Sequence, residues 1–167
     1  MDIIKGQEEH INRIRYIAEH TWADTYGAIL SQEQIDYMLS MMYSPEALQK
    51  QMLEQNHCFL LVKDNNLDDF VGFVSYELDY KNEGIVKIHK LYVLSQCQGS
   101  GMGKVLLDEV ARFSVESGAS KLVLNMNRFN NTLGFYRHLG FEIIGEEDID
   151  IGDGYLMEDY VFEKKLG

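Results

Sequence analysis

The sequence predicts a single mixed-sheet domain, α/β in content and α+β in layout, with a mostly antiparallel central sheet, one β-α-β crossover and flanking helices. Three observations predict it. Helical periodicity fills the first third of the 167 residues, and strand alternation broken by short polar turns follows. Only the stretch between a strand ending at Val93 and one starting at Lys121 is long and helical enough to bring the chain back parallel to itself. The last segment closes as a hairpin around Gly152 to Gly154. At this length, with 46% hydrophobic residues and one proline, residues 1–167 form one domain that needs neither metal nor disulfide to bury a core.

A short strand at Asp2 to Lys5 opens the chain, and Ile11, Ile14, Ala18 and Trp22 then recur at helical spacing. Ser31 with Gln34 forms a capping box ahead of Ile35, Met38, Leu39 and Met42. Ser44 caps the next helix, with Pro45 at its first position and Leu48 and Met52 inward. Strands at 58–63, 70–80 and 85–93 read as an antiparallel meander. A glycine-rich segment at 98–103 opens a helix that runs through Glu116 and is closed by Gly118. A strand at 121–127, a short helix from Thr132 to Leu139 ended by Gly140, and strands at 141–149 and 155–166 complete the chain.

Fifteen Lys and Arg against twenty-seven Asp and Glu give a formal charge of −12, a field that repels nucleic acid. No apolar run approaches the length of a membrane span and the first residues lack the apolar core of a signal peptide, so the expected location is the cytoplasm. Cys58 and Cys97 have no partner at metal or redox spacing and read as two buried free thiols. The charge is uneven. Lys81 to Arg137 holds eight basic and four acidic residues, whereas Glu142 to Glu163 holds nine acids and no Lys or Arg. A centre that takes an anion and flanks that attract a cation fit this pattern, and so does an unevenly acidic solubilising surface.

Gln98-Gly99-Ser100-Gly101-Met102-Gly103-Lys104 follows a strand and opens a helix, the setting in which backbone N–H groups and the helix dipole cradle phosphate. A Walker loop needs a glycine where Gln98 stands and Ser or Thr where Val105 stands; a dinucleotide fingerprint needs a glycine where Lys104 stands. Neither spacing holds. The segment instead resembles motif A of the GNAT acyl-CoA N-acyltransferases, Gln-x-x-Gly-x-Gly after Leu91-Tyr92-Val93. A second family motif follows in order, an Asn-rich loop at Asn127, Asn130 and Asn131, then Phe135-Tyr136 and Gly140-Phe141. Ser95 replaces a common proline, Arg137 stands where many members carry an acid, and an alanine usual in the loop is missing.

The resemblance implies a GNAT fold and acetyl-CoA as co-substrate, with no metal. The backbone from Gln98 through Gly99, Ser100, Gly101, Met102 and Gly103 to Lys104 would hold the pyrophosphate, and Tyr92-Val93 would border the pantetheine arm. Val93 N–H would face the thioester carbonyl, and a fixed donor there is worth about 3 kcal/mol. Asn130 would bond the pantetheine amides; Asn127 would join it or cap its own loop. Tyr136 would protonate the departing thiolate, whose conjugate acid has a pKa of about 8.5. An alkylammonium with a pKa of about 10.4 must lose a proton before it attacks. His89, on the strand face of residues 87, 91 and 93, suits that task, as does Glu77 directly or through water. A histidine on a strand serves equally as a packed, hydrogen-bonded group.

The resemblance implies an acceptor pocket lined after the first helix and at strand ends, where Trp22, Tyr26 and Glu77 are the expected contacts; acids and aromatics suit a flexible cation, and Trp22 and Tyr26 serve equally to fill the core. The stretch from His20 to Ser44, with Thr-x-x-Asp-Thr-Tyr and a Tyr-Met-Leu helix, also resembles PaiA-type spermidine/spermine acetyltransferases, which implies a polyamine acceptor. A peptide or other small cationic amine, or acyl-CoA sensing without turnover, are the alternatives. The terminal hairpin offers an edge for a homodimer.

Overall fold

The computed structural model describes residues 2–167. The first strand, β1 (Asp2–Lys5), leads through a single 3-10 turn to three helices, α1 (Ile11–Tyr26), α2 (Gln32–Tyr43) and α3 (Pro45–Leu53). The meander is β2 (Cys58–Asp64), β3 (Asp69–Glu77) and β4 (Val86–Val93). Helix α4 (Met102–Glu116) crosses to β5 (Lys121–Asn127), and α5 (Leu133–His138) precedes the hairpin of β6 (Glu142–Gly152) and β7 (Tyr155–Lys165). The sheet order is β1-β2-β3-β4-β5-β7-β6, antiparallel at every pair except β4 and β5.

Side-chain alternation assigns the two faces. Phe73 and Tyr92 face α1 to α3, where Trp22 and Tyr43 pack on them. Tyr76, one residue out of phase with Ser75, meets Glu109 and Arg112 of α4 on the other face. Helix α5 shares the α4 face, because Tyr136 packs on Phe162, whose strand partner is Leu124. The hairpin is fastened to α2 from the first face: the Tyr37 hydroxyl donates to Ile151 C=O at 2.8 Å and Gln34 Nε2 to Leu156 C=O at 3.3 Å. The Ser31 cap is made to Gln34 N–H at 3.1 Å, but Gln34's side chain goes to the hairpin rather than back to the cap, so only half of the expected capping box forms.

Strand β3 stops at Glu77 rather than Tyr80. Asp79, Lys81 and Asn82 take positive φ of 49°, 56° and 58°, and Tyr80 N–H bonds Ile85 C=O, so the chain leaves the ladder in a tight turn. Cys97 is buried but Cys58 is half-buried, which corrects the expectation of two buried thiols.

Lys90 is 7% exposed, its ammonium 2.5 Å from Gln51 Oε1 and over the rings of Tyr43 and Phe59. Burial pulls its pKa down to about 7. The unfolded chain therefore binds more protons between about pH 7 and 10.5, and stability rises with pH across that window. Lys90→Met, which keeps the length without the charge, is expected to gain melting temperature relative to wild type most below pH 7. That gain shrinks as the pH rises toward 10.5, above which the lysine becomes neutral in both states; a pH-independent difference in thermal melts contradicts the buried charge.

Candidate active site

The site begins where the parallel pair comes apart. β4 and β5 are in register only at Val86, Lys87 and Ile88, opposite Leu122, Val123 and Leu124. Beyond that point β5 pairs with β7 alone, down to Asn127 opposite Asp159. The separation starts beside a bulge: Ser75 pairs with Lys90 and Tyr76 with Ile88, leaving His89 as the extra residue. The even alternation expected for residues 87 to 93 is therefore broken. Lys87 shares the face of Tyr92, opposite Val93, and His89 meets Glu77 on that face.

Ladder geometry fixes what lines the split. Leu94 N–H donates to Val71 C=O at 2.8 Å, so the Leu94–Val71 pair is hydrogen-bonded and the pairs of β3 and β4 alternate from there. Val93 and Leu91 then turn their backbone groups away from β3, toward a side where β5 no longer answers. Tyr92 turns its own to β3. Tyr92 thus enters the site through its hydroxyl, and Leu91, which sequence reasoning passed over, supplies the second free backbone edge. Gln98 Nε2 donates to Val93 C=O at 3.1 Å, leaving the Val93 N–H as the free donor.

At the open end, Gly101 caps α4 with φ 85°, a left-handed conformation that a side chain would strain. The first backbone bond of α4 is Val105 N–H to Gly101 C=O, so the N–H groups of Met102, Gly103 and Lys104 face out of the helix end. A Cβ on Gly103 would stand 3.2 Å from the Phe135 ring, so α4 and α5 meet here at glycine distance. The Lys104 ammonium pairs along the helix with Asp108 at 2.7 Å. The Cys97 thiol, just before the loop, is pushed up by burial.

The Asn-rich loop holds itself in place. Asn127 Oδ1 accepts from Phe129 N–H at 2.9 Å, the loop-capping role. Asn130 Oδ1 accepts from Thr132 N–H at 3.0 Å and its hydroxyl at 2.9 Å, and its amide is turned toward the Tyr26 hydroxyl. Tyr136 projects from α5 with Phe135, Phe141 and Phe162 around its ring at 5.1 to 5.8 Å. Burial, helped by the Tyr26 hydroxyl, raises its pKa, so the phenol stays protonated. Tyr26 also has a raised pKa from burial, offset in part by Asn130 and Tyr92. Tyr26 from one face and Tyr136 from the other are therefore near enough across the split to influence one another's charge. Trp22 does not reach it: the indole is 2% exposed and packs on Tyr26 at 4.6 Å and Tyr92 at 6.3 Å. Of the two roles expected for Trp22, its burial fits the packing one, as a wall behind Tyr26.

At the closed end lies a cluster only half visible in the sequence. His89 Nε2 is 3.0 Å and His57 Nε2 3.6 Å from the same Glu77 oxygen, and the two imidazoles stack at 4.0 Å. Burial, with His57, Lys90 and Lys87 adding to it, lowers His89 to about 2; burial, then Lys90, lowers His57 to about 4. Both rings are neutral at pH 7. Desolvation raises Glu77. An ionised Glu77 accepts but cannot donate, so His89 presents Nε2–H to it and keeps the Nδ1 lone pair. His57 and Glu77, but not His89, line a cleft of about 930 Å³ between the start of the chain and the Leu78–Asn82 turn. The three side chains place potential metal-ligand atoms within 4.8 Å of one another, with Lys87 and Lys90 near enough to His89 to disfavour its protonation. Within the set, His89 and Glu77 are the hydrogen-bonded pair, and His57 stacks on His89 beside them.

Comparisons with known proteins agree with this fold. The family model of the acetyltransferase (GNAT) domain matches residues 28–157. A spermidine N(1)-acetyltransferase of Thermoplasma acidophilum is 26% identical over 161 residues, covering 95% of this chain and 96% of its own. The crystal structure of a PaiA N-acetyltransferase from Thermoplasma acidophilum in complex with coenzyme A matches with a TM-score of 0.79 and 24% identity over 99% of both chains. A GCN5-related N-acetyltransferase structure from Rhodopseudomonas palustris matches with a TM-score of 0.82 at 18% identity, over 99% of this chain and 95% of its own. The family match runs from just after α1 through the split sheet into β7: the chain belongs to the GNAT acetyltransferase family.

Proposed function

We propose that the protein transfers an acetyl group from acetyl-CoA to a primary amine of a small polycation of the polyamine class, by direct attack with both substrates bound. One observation carries the reading: β4 and β5 separate to leave the backbone of Leu91 and Val93 unpaired, in a cleft that ends at the glycine-capped start of α4. An extended amide-bearing arm fits the free edge, and its phosphates fit the N–H groups of Met102, Gly103 and Lys104.

Acetyl-CoA supplies an activated acyl thioester; this chain's residues do the rest. Val93 N–H is a fixed donor for the carbonyl oxygen, and Asn130 offers amide donors to the arm. Tyr136 donates its proton toward the leaving sulfur. A raised phenol pKa does not disable it, because the same burial raises the proton affinity of a thiolate in that place. His89 takes the proton of the ammonium at Nδ1, with Glu77 steadying the imidazolium and His57 and the cleft beyond giving the proton a way out. Tyr26 lines the acceptor's approach.

The acceptor class draws support from the Thermoplasma relative named for spermidine and from the acidic hairpin, where Arg128 alone pairs with Glu146, Asp148 and Glu158. No helix among the described residues is long and apolar enough to cross a membrane. We place the reaction in the cytoplasm, where acetyl-CoA is made and used.

The test is thiol release from acetyl-CoA with spermidine, spermine, a lysine-bearing peptide or no acceptor. Release with the polyamines alone is the expected result. Release only with the peptide overturns the acceptor class, and release with none of them overturns the transferase reading for these amines.

A further inference from the structure

Asp159, on β7 between Asn127 of β5 and Glu147 of β6, is 2% exposed. Its Oδ1 is buried and has no hydrogen-bond partner. No basic side chain among the described residues lies within ion-pair distance of it: Lys87 is spent on Asn125 Oδ1 at 2.5 Å, and Arg128 is turned to Glu146, Asp148 and Glu158. A buried carboxyl oxygen left without a donor costs stability; burial raises the pKa of this carboxyl, and a cationic donor brought against it would restore both its charge and its missing bond.

The position indicates which donor. Strand register puts Asp159 on the face of Lys87, Asn125 and Asn127, the face that also carries Tyr26, the proposed acceptor contact. It lies near enough to the Tyr26 hydroxyl, on the proposed acceptor side, to add slightly to that group's raised pKa. Glu147, directly opposite on β6, adds negative charge; its Oε2 accepts from Asn125 at 3.1 Å. The hairpin leans over this face through the Tyr37–Ile151 bond and a Tyr37–Tyr155 ring contact at 5.3 Å. The surroundings suit a positively charged hydrogen-bond donor on a slender chain.

We propose that Asp159 is the subsite for a second, non-reacting ammonium of the acceptor, and so selects diamines and polyamines over monoamines. The attacking nitrogen must become neutral, and a carboxylate held against it would keep its proton. A permanent cation one alkyl link away has the opposite requirement. The two tasks are accordingly separated, with proton removal at His89 and Glu77 and charge recognition at Asp159. This inference rests on the acetyl-transfer reading and deepens it.

The experiment compares wild type and Asp159→Asn on 1,4-diaminobutane and on butylamine, with isothermal titration of 1,4-diaminobutane into the protein saturated with CoA. Expected are a KM for the diamine raised at least tenfold in the variant, butylamine kinetics within about twofold, acetyl-CoA KM unchanged and a melting temperature equal or higher. An equal loss on both amines, or an unchanged diamine KM, overturns the subsite. If neither amine is acetylated, the transfer reading fails, and the titration still decides Asp159: diamine binding lost in the variant supports the subsite, and binding equal in both proteins or absent from wild type overturns it.

Discussion

Replacing Tyr136 by phenylalanine is expected to lower kcat about a hundredfold or more, with coenzyme A affinity and melting temperature almost unmoved. The ring contacts with Phe135, Phe141 and Phe162 survive the change, so the variant removes one hydroxyl and little packing. The affinity should hold because the groups assigned to the cofactor are the backbone of Leu91 and Val93, the start of α4 and the Asn130 amide. Burial sets the pH signature. The Tyr136 hydroxyl loses its proton only well above pH 10, so the wild-type kcat should show no fall from this group up to pH 10. Steady-state kinetics with a titration of coenzyme A separates the terms. An unchanged kcat removes Tyr136 from the chemistry; a weakened coenzyme A affinity with kcat intact makes it a binding residue.

The parts of this site that were legible in the sequence are those set by neighbours along the chain. Ser44 accepts from Ala47 N–H ahead of Pro45, and Gly101 takes the left-handed conformation that opens α4; both are short-range requirements that residue type reveals. The order of periodic segments likewise gave the sheet its one parallel pair. What escaped notice depends on contacts between distant segments. A bulge inserts one residue without altering the apolar pattern, so the face of His89 was not readable from alternation. His57 precedes β2 and meets Glu77 and His89 only because α3 delivers it to that end of the sheet. Asp159 sits in a run of acids, and nothing in that run marks it as the buried one. Gln34 fits the capping-box pattern, but the hairpin, more than a hundred residues on, takes its side chain. Trp22 followed the same logic in reverse: an aromatic near a cationic substrate's path is a fair expectation until packing places Tyr26 in front of it.

Glu77→Gln and His89→Gln are each expected to reduce kcat/KM at pH 7 by tenfold to about a hundredfold, and the double variant should be no slower than His89→Gln alone. The reason lies in the order of the relay. Glu77 shares one oxygen with both imidazoles and acts on the amine only through His89, so once the imidazole is gone the carboxylate has nothing to steady. The sign of the pH effect follows from the burial of His89. Its neutral form is held well below the ordinary histidine range, so the wild-type acid limb from this group falls below pH 6.5. Replacing the Glu77 charge by an amide removes the one neighbour that favours an imidazolium, which weakens the base and moves that limb lower still. Both defects should shrink as the pH approaches about 10.4, where the free amine is increasingly neutral and needs no base. Profiles of log kcat/KM that run parallel to wild type rule out a proton-removal role for the pair. A double variant that matches Glu77→Gln, with His89→Gln much the milder single change, transfers the role to Glu77 acting through water and leaves His89 as its packing partner.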